Sequence, residues 1–182
     1  MRIALVGSIA AASALAPAAA FAVDYLSAEE AARLMFPDAE RFELHEIVLD
    51  AAQLQALDAR GVRGRSARWQ SLAARRGDAT LGHVIVDQVT GKFELIGYAV
   101  GIALDGTLKP VEILSYRESH GGEIRLPAWR RQFAGKSSTS TLRVGDDIAN
   151  ISGATLSCTH VTDGVRRIVA VFDLVKKSGG LR

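Results

Sequence analysis

Between His83 and Arg117 the apolar residues come in three short runs cut by turn residues. Val84, Ile85, Val86 and Val89 precede a Thr90-Gly91 turn, and Phe93, Leu95, Ile96, Tyr98, Val100 and Ile102 lead to Asp105-Gly106. Leu108, Val111, Ile113 and Leu114 follow. Asp-Gly between β-branched runs favours a hairpin, because both turn positions accept positive φ. The pattern predicts three antiparallel strands in a meander. Near the C-terminus the period changes: Val161, Val165, Ile168, Val169, Phe172 and Val175 recur at three- and four-residue steps, the apolar face of a closing helix that ends at Gly179-Gly180. Between these blocks Pro127 opens a short helix through Trp129 and Phe133, and residues 135–140 form a polar Gly, Ser and Thr loop. Upstream, Ser27 and Glu30 make a capping box for a helix to about Phe36, stopped by Pro37. Phe42, Leu44, Ile47 and Leu49 suggest a strand, and the stretch from Ala51 to Arg60 is helix-like. The fold class expected is α+β, an antiparallel meander packed with helices and closed by a C-terminal helix.

Residues 1–22 follow a different plan: Arg2 is their only charge, a long apolar run follows, and Ala20-Phe21-Ala22 stands before Val23. Basic start, apolar middle and small-x-small end describe a secretory signal, which places the mature chain in the periplasm. A retained membrane anchor is the alternative, since about 20 apolar residues span the hydrocarbon core. Residues 23–80 then read as an N-terminal helical extension or subdomain, and residues 81–178 as the domain that holds the meander and the closing helix.

Charge narrows the partners. Lys and Arg number 22 against 20 Asp and Glu, a net +2, which argues against nucleic acid. A single cysteine excludes an internal disulfide framework, a four-thiolate zinc site and an iron–sulfur cluster held within the chain. Six arginines at positions 60, 63, 65, 68, 75 and 76, with Trp69 among them, read as a solvated loop and helix face, or more weakly as a surface turned toward a membrane or an acidic redox partner. His45 and His83 show no metal-ligand spacing. Cys158 and His160 point about 200° apart on a helix, so they are no catalytic dyad.

The stretch most informative about chemistry runs from Asp146 to Ser157 into the closing helix. Ser152, Gly153 and Ala154 are small residues at a helix entrance, where free amides and the helix dipole favour an anion, and Thr155 sets a hydroxyl beside them. A plain N-cap by Ser152 is the competing reading.

Ser152-Gly153-Ala154-Thr155 followed by Leu156-Ser157 resembles the attachment motif of the FMN-binding domain family, known from flavin-carrying subunits C and G of sodium-pumping NADH:quinone reductases and Rnf complexes. A second block is similar to the same family: Glu118-Ser119-His120-Gly121-Gly122-Glu123-Ile124, then Trp129, Gln132-Phe133 and Gly135-Lys136. The resemblance implies that residues 81–178 form an FMN-binding domain, with FMN joined through its phosphate to Thr155 by an FAD:protein FMN transferase. It also implies that Ser152, Gly153, Ala154 and Leu156 surround the attachment point, and that Glu118, Ser119, His120, Gly121 and Gly122 approach the flavin. Trp129 and Phe133 border the flavin or belong to the core.

The implied function is electron transfer in a periplasmic or membrane-associated redox chain, by a carrier rather than a stand-alone catalyst. Many relatives have an acidic residue three positions before the motif serine. Here Ala149 stands there, with Asp147 as a differently placed acid. That departure leaves an alternative, an accessory or sensor module of the same fold without flavin.

Overall fold

The computed structural model describes residues 23–62 and 66–181, and the expected signal segment 1–22 lies outside the described residues. A six-stranded, wholly antiparallel sheet runs in the order β1-β6-β5-β4-β3-β2. Its strands are β1 (Val23–Asp24), β2 (Arg41–Val48), β3 (Arg68–Arg76), β4 (Ala79–Thr90), β5 (Leu95–Ala103) and β6 (Glu112–Tyr116). Among the described residues four α-helices complete it: α1 (Ala28–Met35), α2 (Ala51–Ala59), α3 (Pro127–Arg130) and α4 (Thr155–Lys177). The α+β expectation is met, with β4, β5 and β6 as the meander and α4 as the closing helix.

Local chemistry accounts for the element ends. Ser27 Oγ accepts from the Glu30 amide at 3.2 Å, while Glu30 Oε2 accepts from the Ser27 amide at 2.7 Å, the reciprocal capping box that starts α1. Asp50 and Gln53 do the same for α2, at 2.7 and 2.9 Å. Neighbouring strand residues point to opposite faces, so Val84 and Ala99 bury against α1 while Ile85 and Val100 join the larger core beneath α4. The helix α4 lies on β4 and β5, and α1 lies on β5 and β6.

Two expectations need correcting upstream of residue 80. The segment 23–80 holds three strands as well as two helices, and β2 and β3 extend the same sheet as the meander. The arginine-rich stretch is therefore not a loop and helix face over its second half: Arg68–Arg76 is β3, with Trp69, Ser71 and Ala73 turned inward. Alternation was hard to see because Ser71, Ala73 and Ala74 are too polar or too small to signal burial. Three of its arginines are held in ion pairs, Arg68 with Glu46 at 2.9 Å, Arg75 with Glu43 at 3.0 Å and Arg60 with Asp173 at 3.3 Å. Arg63 and Arg65 lie outside the described residues.

The sheet also brings together two histidines 38 positions apart in sequence: the His45 and His83 rings meet edge-on with centroids 5.2 Å apart. His83 is fully buried, and Ser71 Oγ lies 3.2 Å from its Nδ1. Burial, then the nearby charge of His45 and of Arg75, pushes its pKa down to about 4. The folded chain thus keeps His83 neutral where the unfolded chain, near 6.5, already takes up a proton. The stability from this group is present above about pH 6.5 and is lost as pH falls toward about 4. Between neutral pH and about pH 5 the loss should be about 2 kcal/mol. Denaturant titrations of wild type and His83→Leu at both pH values check this: the variant should lose less stability on acidification, and an equal loss would show that His83 is not the titrating group.

Candidate functional site

The site is built at the start of α4, where a turn delivers the chain into a helix of 23 residues. The Ala154 amide bonds back to the Ile151 carbonyl at 3.0 Å, and Gly153 sits at φ +82° in open space. That left-handed conformation suits glycine and strains a residue bearing Cβ. Ala154, not Ser152, is the N-cap, and no side chain caps the helix. The plain capping role for Ser152 therefore does not apply. The helix start keeps its amides and the positive end of its dipole directed outward. Thr155 is exposed at this point, and its Oγ1 accepts a bond from Asn150 Nδ2 at 3.0 Å.

The second motif block arrives from the end of β6. Tyr116 donates its hydroxyl proton to the His120 carbonyl at 2.5 Å and lies 3.2 Å from Ser157 Oγ, so one side chain ties the loop after β6 to the first turn of α4. Burial pushes the Tyr116 pKa up, which keeps the proton it donates. Gly121, at φ +83°, closes the contact: a Cβ there would stand 2.5 Å from Ala154 Cβ and 2.8 Å from the Tyr116 hydroxyl. The two blocks are thus brought into direct contact.

Glu118 works on a different element. Its Oε1 accepts from the amides of Phe93 at 2.7 Å and Glu94 at 3.0 Å, pinning the turn between β4 and β5 and not its own loop. Burial works against its charge, but the amides of Glu94, Phe93 and Lys92 outweigh it and hold the carboxyl below its ordinary pKa.

These pieces enclose a cleft of about 390 Å³. Lys92 and Phe93 line it from the β4–β5 turn, Glu118, Ser119 and His120 from the loop after β6, and residues 153–157 from the start of α4. A second hollow of about 370 Å³ adjoins it, sharing Ser119 and His120 and lined further by Gly121 and Gly122. Of the ten residues expected at the site, only Ser152 lines neither, standing exposed before the helix.

Other expectations resolve into structural roles. Trp129 and Phe133 are core residues, stacked edge to face at 5.2 Å, and the Trp129 indole donates to the Ala149 carbonyl at 2.9 Å. Asp147 is committed within its own loop, accepting from the Leu142 and Arg143 amides at 3.1 and 2.9 Å and pairing with Lys136 at 3.1 Å. Burial raises its pKa, but the Arg143 amide, Lys136 and the Leu142 amide together bring it below the ordinary value. Cys158 is fully buried and burial pushes its thiol up, while His160 bonds through Nδ1 to the Thr90 carbonyl at 2.5 Å. Four participants escape the sequence reading: Lys92, Phe93, Tyr116 and Asn150. Phe93 alone left a signal, a large aromatic beside a glycine turn.

Residues 91–170 match the family model described as the FMN-binding domain. Among solved structures, the crystal structure of Shewanella oneidensis NqrC is similar to this chain, with a TM-score of 0.51 and 17% identity over 80% of this chain and 88% of that one. At that identity the likeness is one of fold, and it agrees with the α+β architecture. No curated protein matches the chain.

Proposed function

We propose, from the match of residues 91–170 to the FMN-binding domain model, that the chain is an exported flavoprotein that carries FMN esterified to Thr155 and relays electrons in a periplasmic or membrane-associated redox chain. The observation that carries this reading is the exposed Thr155 hydroxyl on the cleft, at the uncapped start of α4. The surroundings fit the group. The helix amides and dipole suit a phosphodiester, the open left-handed turn at Gly153 gives access to the hydroxyl, and Gly121 lets the loop after β6 close on Ala154.

Bound FMN supplies the redox chemistry. The chain's own residues orient and tether. Asn150 positions the Thr155 oxygen, Tyr116 locks the loop to the helix, and Glu118 holds the neighbouring turn in place. Tethering has a physical purpose outside the cytoplasm, where a free cofactor is lost by diffusion. The partners of this reading are an FAD:protein FMN transferase, which loads the chain, and a membrane or periplasmic redox protein, which exchanges electrons with it.

Expression of the full chain with such a transferase tests the reading. The mass of the protein should rise by one FMN less water, with flavin fluorescence retained after denaturation. An unmodified mass would overturn it in favour of a flavin-free accessory or sensor module, the reading that Ala149 favours.

A further inference from the structure

We propose that Phe93 and Leu156 form the apolar clamp that holds the flavin ring, an assignment that rests on the flavin reading of the cleft. Phe93 is 73% exposed and Leu156 46% exposed, and both line the same cleft although they come from the β4–β5 turn and the first turn of α4. Single exposed apolar side chains are ordinary. Two large ones converging on one concave site are the composition of a ligand pocket, where apolar walls bind and a few polar groups orient.

The position of Phe93 is not an accident of a loose loop. Glu118 bonds the amides of Phe93 and Glu94, and it reaches them only because residue 91 is glycine: a Cβ there would lie 2.5 Å from Glu118 Oε1. The Lys92 ammonium stands 4.9 Å from the Phe93 ring centroid, so an aromatic surface and a positive charge enter the cleft together. That pair suits a flat, conjugated ring whose reduced form gains negative charge. On this assignment Glu118 is a positioning residue, acting on the ring through the backbone of Phe93.

Two measurements test the clamp. Free riboflavin lacks the phosphate and cannot be esterified, so its titration into the unmodified full chain reads ring binding alone. A flat conjugated ring stacks on an aromatic side chain as a nucleobase does, so Phe93→Ala should weaken riboflavin binding about tenfold. Leu156→Ala should weaken it in the same direction. Because the Phe93 side chain is largely exposed and its fixed contacts are through the backbone, wild type and variant should melt alike.

In the FMN-loaded chain, Phe93→Trp should quench flavin emission by stacking, with recovery on denaturation. The mass of the chain reports attachment separately, so loss of the ester and loss of the clamp are distinguishable. The clamp is overturned if wild type fails to bind riboflavin, if Phe93→Ala binds it as tightly as wild type, or if loaded Phe93→Trp keeps wild-type emission.

Discussion

In the Thr155→Val chain, flavin retained after denaturation should fall to background while the fold is unchanged. Valine keeps the shape of threonine and removes only the hydroxyl that would carry the phosphoester. The residue is exposed, and the side-chain bond it loses is a solvent-facing one from Asn150 at 3.0 Å. Surface changes of this kind cost within about 0.5 kcal/mol, so unfolding cannot account for the loss. Intact mass after co-expression with the transferase, read beside a denaturant midpoint, makes the check. Persistence of the FMN mass on Thr155→Val would move the ester to another hydroxyl, with Ser152 and Ser157 the nearest in sequence.

Gly164→Ala should destabilise the chain by about 2–3 kcal/mol, although alanine in an open helix position is favoured over glycine by about 0.8–1.0 kcal/mol. The sign is set by packing. A Cβ at this position would overlap the Tyr98 hydroxyl oxygen and stand 2.8 Å from its ring carbon and 3.3 Å from Val89 Cγ1. Tyr98 has no room to retreat, being fully buried with its hydroxyl donating to Asp87 at 2.9 Å. Burial, then the Asp87 charge, drives the Tyr98 pKa upward, so the donor keeps its proton. Asp87 is held in turn by Arg167, 3.9 Å away on the same helix as Gly164. Relief should therefore come from shortening the tyrosine: Tyr98→Phe combined with Gly164→Ala should cost at least about 1 kcal/mol less than the sum of the two single changes. Additive costs would show that α4 yields to the methyl group by sliding on the sheet.

Much of the architecture is legible in the sequence, for identifiable reasons. The Ser27 and Glu30 pair announces α1 because capping is local chemistry within one turn. The meander is visible because Asp105-Gly106 marks a sharp turn between β-branched runs, and α4 because its apolar stripe repeats with helical period over about four turns. The strand β3 is not visible: its inward positions include Ser71 and Ala73, whose burial depends on pairing with β2 and β4 rather than on their own hydrophobicity. The helical reading of residues 23–80 fails at β3 for this reason, whereas the strand expected from Phe42, Leu44, Ile47 and Leu49 is present as β2. Phe93 shows the opposite case. Its apolar character reads as the start of a strand, yet the structure leaves it outside both β4 and β5, in the turn that Glu118 holds.

By itself the sequence determined the α+β class and the order of its main elements downstream of residue 80, because each depends on residues close together in the chain, and it carries the two short blocks that resemble the FMN-binding domain family. Tertiary structure alone decided that Gly121 meets Ala154, that Tyr116, bonded to the His120 carbonyl, meets Ser157 41 positions further on, and that a glutamate after β6 positions an aromatic in the β4–β5 turn. The division is physical. Turns, caps and amphipathic periods are set by local backbone chemistry. A cleft is set by which distant segments the sheet lays side by side, and no spacing along the chain encodes that distance.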